Sequence, residues 1–402
     1  MPYYQPPLPL VSTTGADFLP KDTSFQEQEP QPGLENISLV DDLGGSKQMG
    51  NKEPRTRLKG SITMAELARK CGYSKATVSR ALADDPRVKP ETKALIWDMA
   101  ERYNYRPHQV ASNLAKRRTK TIGLLFPSAP RTIADPFFLE YLHGVSETLF
   151  EQGFSLLIPQ VKQQRVTETI EQLIAHRRVD GVILTEPRLE DERIHLLQES
   201  NVPFVFLGST VNEDVSWVDG DNRGGICQGV CALGALGHRR IAVITGEEGL
   251  VSAKKRFLGY QDGLAALGLE LNRDLVWPGD FTRQGGYAAV ASRLNQIRSG
   301  EVTAILACND LMAIGAIQAL NEARVRIPEQ ISVMGFDGIE VGKYLSPPLT
   351  TVQQPVYSLG REVARVLLGL IAEEHGTVHV TLPVSIVNES NTIGPAAPHG
   401  AA

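Results

Sequence analysis

The chain has 402 residues, 42% hydrophobic and 22% charged, with a formal net charge of −5. That length leaves two or three domains with sizeable cores, and no apolar run reaches the roughly 18 residues of a membrane-spanning helix. Four cysteines (Cys71, Cys227, Cys231 and Cys308) fit a reduced interior rather than a disulfide framework. Cys227 and Cys231 are spaced for one helix face, but no His or acidic neighbour in sequence completes a metal site, so no metal is expected.

Residues 1–58 are rich in Pro, Gln, Glu, Ser and Gly without periodicity and read as a disordered tail. They lack the basic start and continuous apolar stretch of an export signal, and Met49 is an alternative start. In ITMAELARKCGYSKATVSRAL, from Ile62 to Leu82, Met64, Leu67, Ala68 and Cys71 recur at helical spacing, and Gly72 is a stop. Ser74 caps a second helix whose Val78 and Leu82 face inward, leaving Lys75, Ala76, Thr77 and Arg80 outside. This is the pattern of a helix-turn-helix whose second helix enters a major groove; an ordinary helical hairpin would share the apolar spacing. Charge separates the two. Residues 55–120 carry 16 Lys+Arg against 6 Asp+Glu, a basic segment on an acidic chain.

A third helix starts at Pro90, with Leu95, Ile96, Met99 and Tyr103 as its predicted buried face. Arg106-Pro107 forces an extended step, and HQVASNLA (108–115) is helix-compatible but too short to hold helical form alone. From Thr121 the runs TIGLLFP, FSLLIP, GVILT and PFVFLG alternate with helices near 137–152, 165–177 and 191–200. A second series, RIAVITG, LVWPGDF, AILACND and ISVMGFD, alternates with helices near 223–236, 253–267, 284–298 and 311–323. Two such series give two α/β lobes with parallel sheets and a ligand cleft beyond the strand carboxyl ends. Ser128, Asp135, Phe137, Phe138, Asp221, Asn222, Asn309, Asp310 and Asp337 follow strands, and Arg256 opens a helix. Carboxylates, amides, an Arg and aromatic rings suit a polyhydroxylated ligand; Asp135 and Asn309 equally occupy helix-capping positions. No GxGxxG follows the first strand, no GxxxxGK[ST], HExxH or GxSxG occurs, and the eight His are scattered, so no catalytic constellation and no cofactor is expected.

YSKATVSRAL, VKPETKALI and NYRPHQVASNL resemble the headpiece of the lac-repressor/galactose-repressor family of bacterial transcription regulators. The resemblance continues through DPFFLEYLHGV, VDGVILT, LGHRRIAVITG, CNDLMAIGA and ISVMGFDGIE, covering about 60–393. It implies an all-α helix-turn-helix headpiece (59–106), a hinge helix and linker (107–120), and a two-lobed periplasmic-binding-protein-like core (121–395). Lobe 1 would comprise about 121–221 and 355–383, and lobe 2 about 222–354 and 384–395. The implied DNA-contacting set is Thr63, Ser74, Lys75, Ala76, Thr77, Ser79, Arg80, Tyr105, Ala111 and Leu114, with Leu114 as the hinge's minor-groove wedge. The implied effector set is Ser128, Asp135, Phe137, Arg256, Asn309 and Asp337. Lys89 departs from the small polar cap usual before the third helix. The expected protein is a cytoplasmic repressor, a homodimer or tetramer, binding double-stranded operator DNA under control of a small-molecule effector, a carbohydrate. The rivals are a sugar-binding receptor without DNA function and a sugar-processing enzyme of similar architecture.

Overall fold

Three short helices form the headpiece, and each end has a visible cause. In the computed structural model, which describes residues 62–105, 118–126, 135–159, 165–374, 376–388 and 391–396, α1 spans Met64–Cys71, α2 Lys75–Leu82 and α3 Pro90–Arg102. Thr63 and Glu66 close a reciprocal capping box on α1, and Gly72 ends it in the left-handed region (φ 74°). Ser74 accepts the Thr77 amide at 3.1 Å and starts α2. Leu67, Ala68, Val78, Ala81, Val88, Ile96, Ala100 and Tyr105 make the headpiece core. Leu95 departs from the expected buried face and is 47% exposed. The face runs instead through Ile96, Met99, Ala100 and Tyr103, at i, i+3, i+4 and i+7, and Leu95 lies one helical step off it. Lys89 makes no side-chain cap, and Pro90 alone opens α3.

The rest folds as two six-stranded sheets. β1 (Thr121–Leu125), β2 (Ser155–Leu157), β3 (Gly181–Leu184), β4 (Phe204–Leu207), β5 (Trp217–Gly220) and the late β11 (His379–Leu382) form the first, in the parallel order β11-β5-β4-β3-β1-β2. The second contains β6 (Ile241–Ile244), β7 (Val276–Trp277), β8 (Ala304–Ala307), β9 (Ser332–Asp337), β10 (Thr350–Gln353) and β12 (Ser385–Val387). Its order is β12-β10-β9-β8-β6-β7, with β12 antiparallel at the edge. Helices α4 (Pro136–Glu151), α5 (Val166–Ala175), α6 (Glu192–Ser200) and α12 (Val356–Ile371) belong to the first lobe. Helices α7 (Asn222–Ala235), α8 (Val251–Ala266), α9 (Arg283–Ala291), α10 (Leu294–Arg298) and α11 (Asp310–Glu322) belong to the second. The central strands are buried end to end, as they must be when helices cover both faces. α4 and α12 touch backbone to backbone: a methyl group on Gly144 would lie 2.1 Å from the Tyr357 carbonyl oxygen.

The chain passes between lobes at residues 220–222, 353–356 and 382–385. A single helix over 284–298 was expected, but it breaks at Ser292–Arg293, where the Ser292 hydroxyl donates to the Ala288 carbonyl and competes with the ladder. His238 is 1% exposed and ties the start of β6 to neighbouring strands through Thr303, Ser332 and the Gly394 carbonyl, each at 3.0 Å. The tail (1–58), the hinge with Ala111 and Leu114, and Ser128 lie outside the described residues.

Candidate DNA-reading face and interlobe cleft

α2 presents Lys75, Ala76, Ser79 and Arg80 to solvent, with no hydrogen bond from Lys75 or Arg80 to another described side chain. Val78 and Ala81 are fully buried on its other side, which fixes the helix's rotation. Thr77 is half-buried and its hydroxyl is paired with Ser74 at 2.9 Å, while the Thr63 hydroxyl is held by Glu66 at 2.7 Å. Both are capping elements first, with a lone pair each to spare. Tyr105, one of the expected DNA contacts, has its ring largely inside the headpiece. It is 8% exposed and packs in the headpiece core, where burial raises its phenol pKa, so its ring supports the fold.

Between the lobes lies a cavity of about 120 Å³, outside the carboxyl ends of β3, β4, β5, β8 and β9. Asp135, Phe137, Arg256, Asn309 and Asp337, picked from sequence, all line it. Phe138 and Asn222, weighed from sequence as strand-end candidates, line it too, and Glu186, Asp219, Ser252, Phe281 and Gln354 line it without having been assigned there. Glu186 follows GVILT directly, so the strand-end rule that selected Asp337 selects it too. Gln354 had no such signal, because the strand before it, TTVQ, is half Thr and did not register as a core strand.

Arg256 organises the floor. Its guanidinium donates to Asn222 Oδ1 at 2.6 Å, to Asp337 Oδ1 at 3.1 Å and to the Cys308 carbonyl, and stacks 4.0 Å from the Phe336 ring centroid. Gln354 adds a second donor to Asp337 at 2.9 Å. Asn222 in turn donates to Asp219 at 2.7 Å, and Asp219 accepts from Ser209 at 2.8 Å. This hydrogen-bonded chain runs from the first lobe through the 220–222 crossing to the second, ending at the 353–356 crossing. Asp337 sits at φ 113°, a conformation rare for a side-chain-bearing residue, held by those two donors. Burial raises its pKa against the pull of Arg256.

Asn309 caps α11, accepting from Met312 and donating to the Phe281 carbonyl, each at 2.9 Å. Asp135 caps α4 through the Phe137 amide at 3.0 Å; burial, with the charge of Asp337, pushes its pKa up to about 6. Burial, then Glu247, pushes Glu186 up to about 7. Asp310 sits behind the site, fully buried, accepting from Thr351 and the amides of Gly338 and Ile339 that shape the loop after β9. Capping and ligand-facing roles thus coincide in Asp135 and Asn309. Asp221 is a cap alone, holding the Gly224 amide at 2.8 Å outside the cavity lining. No group of three or more His, Cys, Asp and Glu among the described residues is arranged to hold a metal ion.

Residues 119–389 match the family of periplasmic binding proteins and the sugar binding domain of the LacI family, and residues 63–108 match bacterial regulatory proteins of the lacI family. The HTH-type transcriptional regulator CelR of Thermobifida fusca is 34% identical over 333 residues, covering 82% of this chain and 96% of that protein. The HTH-type transcriptional repressor PurR of Haemophilus influenzae is 30% identical over 330 residues, 81% of this chain and 96% of that protein. Among solved structures, a lac repressor dimer bound to operator and an anti-inducer aligns with TM-score 0.73 at 28% identity, covering 83% of this chain and 99% of the other.

Proposed function

The chain belongs to the lacI family of bacterial regulatory proteins, and from that membership and the two sites above we propose an effector-controlled repressor that binds operator DNA in the cytoplasm. The observation that carries this reading is the pairing, in one chain, of an exposed α2 face bearing Lys75 and Arg80 with a polar cleft between two lobes. Arg80 can donate twice to guanine O6 and N7, Lys75 reaches an adjacent acceptor, and Ala76 offers apolar contact to a thymine methyl. Two headpieces on a homodimer would read the halves of a near-palindrome.

The effector is a polyhydroxylated small molecule in the class of carbohydrates. The cleft supports this with carboxylate acceptors, a guanidinium, and Phe137, Phe138 and Phe281 as apolar platforms for C–H faces. A solved CelR–cellobiose complex, at TM-score 0.65 and 32% identity over 82% of this chain, points the same way. Ligand binding changes the lobe arrangement and so the operator affinity. The test is a selection of genomic DNA fragments on the full chain, followed by gel shifts with and without sugars. A palindromic site whose affinity changes with one sugar supports the reading; a chain that selects no sequence and turns over or merely binds sugar refutes it.

A further inference from the structure

We propose that the cleft selects its effector by charge, with Glu186 as the selecting group: neutral polyols or ammonium-bearing ligands enter, and phosphorylated or carboxylated ones do not. This rests on the effector reading above and adds the ligand's charge class to it.

Among the described residues lining the cavity, four are carboxylates (Asp135, Glu186, Asp219 and Asp337) and one is a cation, Arg256. That cation is paired with the Asp337 carboxylate, which balances most of its charge, and gives three of its five N–H groups to Asn222, Asp337 and the Cys308 carbonyl. Asp219 is likewise satisfied by Ser209 and Asn222, with Lys255 3.6 Å away. Unspent acceptors remain on Glu186, whose carboxylate has no hydrogen-bond partner among the described residues. They remain also on one oxygen each of Asp135 and Asp337, whose other oxygens are engaged.

The charges around Glu186 do not cancel it. Arg193 is bound at two points by Asp191 (2.6 and 2.7 Å) and donates besides to the Thr185 and Glu186 carbonyls. Arg188 is paired with Glu247 at 2.8 Å, and Glu247 and Asp135 themselves repel a charge on Glu186. Asp135 and Glu186 come from the first lobe, Asp337 and Glu247 from the second, so like charges face one another across the cleft. A ligand rich in O–H or N–H donors bridges them and relieves that repulsion. A phosphate or carboxylate adds to it and brings acceptors where acceptors are already in excess.

The experiment is calorimetry and thermal shift on the full chain with pentoses, hexoses and β-linked disaccharides in neutral, amino, phosphorylated and carboxylated forms, and with neutral purines. The expected result is a neutral or amino sugar as binder, its phosphorylated or carboxylated form at least about tenfold weaker. Read at pH 8, about one unit above where Glu186 is half charged, Glu186→Gln narrows the discrimination by about tenfold, and Asp135→Asn, which keeps the α4 cap, by less. Tighter binding of a phosphorylated sugar than of its neutral parent, or unchanged discrimination in both variants, overturns the proposal. A neutral purine binding where every sugar fails leaves the charge rule standing and removes the carbohydrate reading; a panel with no binder overturns both.

Discussion

Replacing Arg256 with alanine tests whether the floor of the cleft is a structural ion pair as well as a ligand site. The side chain is 8% exposed, so truncation removes three hydrogen bonds and the ring contact with Phe336. It strands the Asp337 side chain, 10% exposed, with Gln354 alone, and leaves Asn222 Oδ1 and the Cys308 carbonyl short of a donor. Breaking one side of a buried pair costs about 3–5 kcal/mol, which at roughly 2–4 °C per kcal/mol lowers the melting temperature of the lobed core by about 10 °C. The Arg256→Met, Asp337→Asn double variant removes the orphan charge along with its partner, so it should recover more than half of that loss. Calorimetric melting of the full chain, Arg256→Met, Asp337→Asn and the double variant closes the cycle, with Arg256→Ala measured beside them. A loss below about 1 kcal/mol for Arg256→Ala, or a double variant as unstable as the two losses added, would falsify the ion-pair account. Loss of effector response in Arg256→Ala must therefore be measured well below its melting point.

Arg80 is exposed with no hydrogen bond to another described side chain, so on the proposed function Arg80→Ala should weaken operator binding by about 1–3 kcal/mol and relax preference at one base per half-site, with melting unchanged. An equal loss on every sequence, measured on a set of single-base operator variants, would reassign it to phosphate. His238 is buried neutral and its pKa is lowered, by burial first, so the stability it contributes is complete above the unfolded value near 6.5 and falls as pH drops through the folded one. Asp135, Glu186 and Asp310, pushed up to about 6, 7 and 8, carry the opposite slope, since their contribution is lost as pH rises through those values. The readout is thus the difference between wild type and His238→Gln: the wild-type advantage should shrink from pH 7.5 to 5.5, and a constant or growing advantage refutes the assignment.

How much could be read from the sequence depended on the kind of force involved. Periodicity found the headpiece and the buried parallel strands, because burial on both faces leaves continuous apolar runs such as AILA and IAVI. It missed TTVQ, HVTL and SIV, since edge strands and Thr-rich strands carry no such run; α12 carries the helical period plainly in Val356, Leu359, Val363 and Leu367 but lies beyond the two expected series. Leu95 misled because hydrophobicity marks a side chain as burial-prone without saying on which side of the stripe it falls. The strand-end rule placed Asp135, Asn309 and Asp337 in the cleft with Arg256, which came from the helix-opening motif. It could not say that Arg256 is spent on internal partners, because those bonds join residues 34, 52 and 81 positions apart.

The two ends of the cleft are held by unequal forces. At the crossings, the Asp219–Asn222–Arg256–Asp337–Gln354 chain is buried throughout. At the mouth, residues 187–189 of the first lobe meet 249–251 of the second through two main-chain hydrogen bonds of 3.0 Å and the Arg188–Glu247 pair. Both members of that pair are 37% exposed, so solvent limits it to about 0–1 kcal/mol. Opening that pivots at the crossings would therefore break only the mouth contacts, a small cost that a ligand bridging the two lobes in the closed form would raise. Arg188→Glu, which sets a third acidic group beside Glu186 and Glu247, should favour the open form by about 1–2 kcal/mol, or roughly 5–30-fold. Small-angle scattering of the ligand-free full chain should then show a larger radius of gyration, and effector affinity should fall in proportion to the closed fraction lost. Unchanged scattering together with unchanged affinity would mean that the mouth contacts contribute nothing to closure, and that the crossings alone set the lobe angle.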